Sequence, residues 1–200
     1  MVATQLRVRG ISDQRVLDAF LRVPRHEFIP EPYRDRAYED HPLPIGDGQT
    51  ISQPYIVAIM LEALELKPAD KVLEVGTGSG YVTALLAELT AQIYSIERHA
   101  ALAAEAQRVL TALHYTNIEI VVGDGTAGLP AHAPYDAIIV SAATSELPPA
   151  LLAQLVEGGR MIIPVGPPDS QHLQWIRMQN GHPQISLREA CRFVPLIPGG

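Results

Sequence analysis

Between residues 71 and 142 the chain alternates short β-rich runs with stretches of helical periodicity: KVLEV, YVTALLAEL, QIYSIE, AALAAEAQRVLTAL, IEIVV and YDAIIVSA. Strands that read as nearly continuous apolar runs bury both faces, and their alternation with helices implies parallel strands joined by crossover helices. The expected fold is therefore α/β, a doubly wound, mostly parallel sheet with helices on both faces. A helix is predicted over 149–156, followed by extended runs in RMIIPV, HLQWIRMQ and ISLREACRFVPL. Asn180-Gly181 lies between the last two, and Asn-Gly is a preferred centre for a two-residue hairpin turn. The sheet is thus expected to end in an antiparallel strand pair. With 200 residues, 47% of them hydrophobic, the chain can bury one full core, and no linker, repeat or low-complexity tract divides it.

Ahead of this pattern, residues 12–23 read as a short amphipathic helix with Ser12 or Asp13 as cap and Val16, Leu17, Phe20 and Leu21 at helical spacing. Prolines at 24, 30, 32, 42, 44 and 54 then mark a long irregular segment, and such segments inside compact domains usually form or cover a site. It closes with GDGQTISQPY, Gly46 to Tyr55, before an apolar helix predicted from Gln53. Ser52 has the residue type of an N-cap. The backbone N–H groups of Thr50, Ile51 and Ser52, with a hydroxyl, would equally suit an anion at a helix N-terminus. One oxygen cannot serve both roles at once, and the residues alone leave both open.

Charge and cysteine content narrow the partners. Fifteen Lys and Arg against 22 Asp and Glu give a net charge of −7, which disfavours a nonspecific grip on a phosphate backbone. No nucleic-acid partner is expected. The start, MVATQLRVRG, lacks the apolar run of a signal peptide, and nothing approaches the ~20 apolar residues of a membrane span. The single Cys191 suits a reducing compartment. A soluble, cytoplasmic monomer without membrane contact is the expectation. The seven histidines, at 26, 41, 99, 114, 132, 172 and 182, show no metal-ligand spacing and read as surface or structural residues, so no metal is expected.

The glycine-rich turn VLEVGTGSGY follows a predicted strand and opens a predicted helix, the context in which glycines let a ligand lie against the backbone. A dinucleotide fingerprint would want glycine at position 81, where Tyr81 stands. Glu74-x-Gly76-x-Gly78-x-Gly80 instead resembles the first motif of S-adenosylmethionine-dependent methyltransferases, with Ser79 in the same turn. Glu97, 21 residues past Gly76, ends the next strand where a carboxylate can accept both ribose hydroxyls, with Arg98 beside it. After the third strand come Asp124 and Gly125. The resemblance implies that Asp124 accepts from the adenine amino group and that Gly125 permits close approach.

Taken with PRHEFIP before it and RFVPL near the end, the GQTISQP segment resembles the protein-L-isoaspartate O-methyltransferase family, and the similarity runs over essentially the whole chain. The resemblance implies a Rossmann-like methyltransferase that uses S-adenosyl-L-methionine, leaves S-adenosyl-L-homocysteine, and methylates the free α-carboxylate of L-isoaspartyl residues in damaged proteins and peptides. Residues 1–200 would form a single methyltransferase domain, with 1–65 a helical and irregular substrate-binding segment and 70–200 the cofactor-binding core. Ser52 would be catalytic, and Val194, Pro195 and Leu196 would pair with substrate backbone through the Val194 and Leu196 amides. An α-carboxylate, with a pKa of about 3.5, is already an anionic nucleophile, which accounts for the lack of a catalytic dyad. Methylation of an amide or base nitrogen is disfavoured because Ser141-Ala142-Ala143-Thr144 stands where such enzymes carry Asn-Pro-Pro-Tyr. A nicotinamide-dependent oxidoreductase is disfavoured by Tyr81. Asn180-Gly181 carries a second reading besides the turn: Asn before Gly cyclises readily, so the chain could become its own substrate.

Overall fold

The computed structural model describes residues 1–199. Two helical turns, Val2–Leu6 and Arg7–Arg9, lead into α1 (Gln14–Arg22). Asp13 caps α1 by accepting from the Arg15 and Val16 amides, while Val16, Leu17, Ala19 and Phe20 face the core. Leu21, expected on the apolar face, is exposed. The proline-rich segment contains short 3-10 helices at Arg25–Phe28 and Glu31–Arg36, then a hairpin that the sequence did not predict, β1 (Leu43–Gly46) and β2 (Gln49–Ile51). Its loop is Asp47-Gly48, both at positive φ, which is the preferred chemistry of a type I′ turn.

The core then alternates as expected: α2 (Pro54–Ala63), β3 (Lys71–Val75), α3 (Tyr81–Leu89), β4 (Gln92–Glu97), α4 (Ala100–Ala112), β5 (Ile118–Val122) and β6 (Tyr135–Val140). The short α5 (Pro149–Leu152) is followed by β7 (Leu155–Val165), β8 (Gln171–Gln179) and β9 (His182–Cys191). The seven strands are ordered β5-β4-β3-β6-β7-β8-β9, parallel through β7 and antiparallel at β8 and β9. Asn180-Gly181 makes the predicted tight turn. The helix predicted over 149–156 stops at Leu152 because Tyr135 N–H bonds the Gln154 carbonyl and Leu155 pairs with Tyr135, starting β7 early. The strand predicted through Leu196 stops at Cys191.

Alternation along the strands divides the core. Val72, Ile93, Ala137, Ile139 and Ile162 pack under the N-terminal segment and α1–α4, while Leu73, Val75, Ile138, Val140, Met161 and Ile163 pack under α5 and its neighbouring turns. Helical cover is thus thick on one face and thin on the other. Tyr81, which begins α3, lies edge-on to Phe20 and Phe28 and beneath the buried Arg25 guanidinium, tying the N-terminal segment to the glycine-rich turn.

Candidate active site

Strand β3 neighbours β4 on one side and β6 on the other, so the chain changes direction across it, and crevices form at the C-terminal ends of such strands. A crevice of about 820 Å³, mouth included, opens there. Its floor is Val75 to Ser79, its sides include Ile96 to His99, Gly125 and Ser141-Ala142, and it is closed by Gln49 to Ser52 from the hairpin and Val194 to Ile197 from the C-terminal segment. Gly76 (φ +92°) and Gly78 (φ +53°) adopt backbone conformations that side chains rarely tolerate, which keeps the floor low. The hairpin arches over this turn: Ile45 lies above Gly78, and Asp47 reaches to 4.0 Å from His99. Glu97, 6% exposed, is fixed on the wall by the amides of Gly78 and His99, both at 2.9 Å. Each of its oxygens keeps a lone pair for a ligand hydroxyl.

A second, wider groove of about 1540 Å³ runs alongside, between Pro42, Gln53, Ile56 and the Ala190 to Pro195 stretch. Thr50, Ser52 and Ser141 line both spaces. Ser52 is not the helix cap. Gln53 occupies that position but its side chain caps no helix amide, and Asp40 caps α2 from outside it, accepting from Tyr55 N–H at 3.0 Å and from Gln53 Nε2 at 2.8 Å. The Ser52 carbonyl accepts from Arg25 Nη2 at 2.8 Å, and no partner for its hydroxyl is present among the described residues. Arg25 also donates to the Ala37 carbonyl at 2.8 Å, and its burial lowers its pKa to about 10, which leaves it charged at neutral pH. Burial likewise pushes the Cys191 thiol up to about 11, so it is no nucleophile there. Among the described residues no group of side chains could hold a metal ion.

A model of the protein-L-isoaspartate(D-aspartate) O-methyltransferase family matches residues 1–199. The chain belongs to this family. It is 59% identical over 197 residues to a protein-L-isoaspartate O-methyltransferase of Koribacter versatilis, covering 98% of this chain and 89% of that one. Identity to the enzyme of the same name from Methanoculleus marisnigri is 54% over 198 residues, 98% of this chain and 90% of that one. A solved protein-L-isoaspartate O-methyltransferase from Plasmodium falciparum, in complex with S-adenosyl-L-homocysteine, superposes with a TM-score of 0.86 at 30% identity, over 98% of this chain and 96% of that one.

Of the residues the family resemblance singles out, Thr50, Ile51, Ser52, Gly76, Gly78, Ser79, Glu97, Arg98, Gly125, Val194, Pro195 and Leu196 all line the crevice. Three do not. Glu74 is fully buried beneath it, its Oε2 accepting from Thr83 and Ser95 at 2.6 Å, and reaches the wall only through Ser95 and Thr77, whose hydroxyls are 2.5 Å apart. Gly80 faces α4, where an added Cβ would stand 3.1 Å from Ala106 Cβ, so its smallness serves helix packing. Asp124 turns outward to accept from Thr126 and from Gly199 N–H at 2.7 Å, the latter being the largest cause of its lowered pKa. Gly125 is required as much by packing as by a ligand, since a Cβ there would lie 2.5 Å from Val75 Cγ1. The Leu196 amide is not available to a substrate strand. It donates to the Ala143 carbonyl at 2.6 Å while Ala143 N–H donates to Val194 at 2.7 Å.

His99, Thr77, Tyr81 and Ser141 also line the crevice, although in the sequence His99 reads as a surface or structural residue, Tyr81 and Ser141 serve only to disfavour other cofactors and substrates, and Thr77 carries no reading. His99 and Ser141 directly follow or closely trail strand ends, the one signal that could have flagged them.

Proposed function

We infer that the crevice holds S-adenosyl-L-methionine, that the adjoining groove takes an extended isoaspartyl segment, and that Ser52 stands where the two meet. The enzyme is a protein-L-isoaspartate O-methyltransferase that methylates the α-carboxylate of isoaspartyl residues in damaged proteins. The carrying observation is the Ser52 hydroxyl, unclaimed by the helix it precedes and lining both spaces. When bound, the cofactor supplies an electrophilic methyl on sulfonium sulfur. The protein's task is to hold a carboxylate oxygen in line with that methyl, near attack distance, without quenching it. A neutral hydroxyl does this better than a lysine, which would bind the anion at the expense of its nucleophilicity. Glu97 suits ribose hydroxyls, and the side of the crevice formed by Ile96 and Gly125 suits a flat adenine.

Residues 1–65 serve as the substrate-binding segment and 70–200 as the cofactor-binding core of one domain, a division supported by the hairpin's place over the crevice. The reading further includes a cytoplasmic monomer that binds neither nucleic acid nor membrane. Among the described residues no helix is long and apolar enough to cross a membrane. The test is methyl transfer from labelled cofactor to two peptides differing only in isoaspartate or normal aspartate. Label in the isoaspartyl peptide alone is expected; equal label in both, or none with the cofactor bound, overturns the substrate assignment.

A further inference from the structure

The crevice lies at the C-terminal ends of β3, β4 and β6, whereas β8 runs away from that end and turns into β9 at Asn180-Gly181. This turn is exposed and sits at the far end of the sheet. Asn180 (φ +53°) and Gly181 (φ +73°) form a two-residue loop of the type I′ kind. Across from it, the exposed Glu157 in β7 accepts from both loop amides, Oε1 from Asn180 N–H at 2.6 Å and Oε2 from Gly181 N–H at 3.1 Å.

The second of those amides is the nucleophile of Asn-Gly cyclisation. Gly181 N gives up its proton and bonds to Asn180 Cγ, the Cγ–Nδ2 bond breaks, and ammonia leaves with the proton. Water then opens the succinimide. Opening at the Asn180 α-carbonyl routes the chain through Cγ and leaves a free α-carboxylate, which is an isoaspartyl residue.

Glu157 opposes the first step in two ways. Its hydrogen bond stabilises the protonated nitrogen, and its negative charge raises the energy of the amide anion that must form. Holding both amides also keeps the loop in its tight-turn geometry.

We propose that Glu157 is a guard that slows conversion of this enzyme into its own substrate, and that a chain damaged at Asn180 is methylated by a second molecule. The distance between the turn and its own crevice, at opposite ends of the sheet, rules out methylation within one chain. This second half rests on the isoaspartyl methyltransferase reading; the first half does not.

The test ages the wild type, Glu157→Gln and Glu157→Ala side by side without methyl donor and follows loss of the Asn180 amide by peptide mapping. A rise of about tenfold in Glu157→Ala is expected, equivalent to about one unit in the acidity of the Gly181 amide, with Glu157→Gln between. Equal rates, or a faster wild type, overturn the guard. Aged Glu157→Ala is then offered to fresh enzyme with labelled S-adenosylmethionine, alongside an isoaspartyl peptide. Label mapping to residue 180, absent from an Asn180→Ser control, supports methylation between chains. No label there while the peptide is methylated overturns it. Failure of the peptide itself indicts the reaction assignment instead.

Discussion

Ser52 keeps an uncommitted hydroxyl because two residues distant in sequence meet the needs of its backbone and its helix. Asp40 caps α2 and Arg25 holds the Ser52 carbonyl. Ser52→Ala removes a donor from the meeting point of crevice and groove without disturbing either support. It is expected to lower kcat on the order of 10²-fold, the size of a lost transition-state donor, with cofactor affinity measured by titration within a factor of about two. A parallel loss of both would make Ser52 structural. The sequence could not separate the two roles, because a local reading assigns a cap to the nearest hydroxyl and cannot see Asp40. Arg25 was invisible for a similar reason: an arginine between prolines and polar residues reads as exposed, yet this one is fully buried over Tyr81.

The β1–β2 hairpin and α2 form one element of the site, and their junction depends on Asp40. That carboxylate accepts from Tyr55 N–H and Gln53 Nε2 and pairs with Arg9. Asp40→Ala is expected to cost about 1–2 kcal/mol, mostly the lost cap, whereas Asp40→Asn retains an acceptor and loses chiefly the exposed Arg9 pair, worth under about 1 kcal/mol. Chemical denaturation of the three proteins checks the ranking, and equal losses in Ala and Asn would assign the effect to charge. Asp40→Ala also leaves Ser52 as the nearest substitute cap, so its kcat should fall further than that of Asp40→Asn. The hairpin was legible in principle, since Asp47-Gly48 is a type I′ signal. It was hidden by the shortness of its strands and by Pro44 within β1, which local propensity counts against a strand. The Val194 to Leu196 stretch was misread in the opposite sense. Its apolar character looks like an extension of β9, but it leaves the sheet edge to bridge Ala143 instead.

At the scale of the whole molecule, the alternation of KVLEV through YDAIIVSA determined the parallel sheet, because each run is long enough and uniform enough to leave one solution. What it could not show is that an acidic residue in the glycine-rich motif would be buried away from the ligand. Glu74 shares the core with Thr83 and Ser95, and burial, the dominant cause, raises its pKa from 4.5 to about 8. The hydroxyls of Ser95 and Thr83 oppose that rise, and its Oε1 is buried without a partner among the described residues. Between those two pH values the folded chain binds more protons at this position than the unfolded chain does, so stability must fall as pH rises. The contribution is fully present below pH 4.5, is lost as pH climbs through about 8, and levels off above it. Its steepest slope is about 1.4 kcal/mol per pH unit. Glu74→Gln keeps an oxygen for both hydroxyls and removes the titration. Its melting temperature should therefore decline less than the wild type's across this window, with the gap in its favour widening toward pH 8. Parallel curves would mean that Glu74 is ionised throughout, with its charge carried by the Ser95 and Thr83 hydroxyls and by the glycine-rich turn above them.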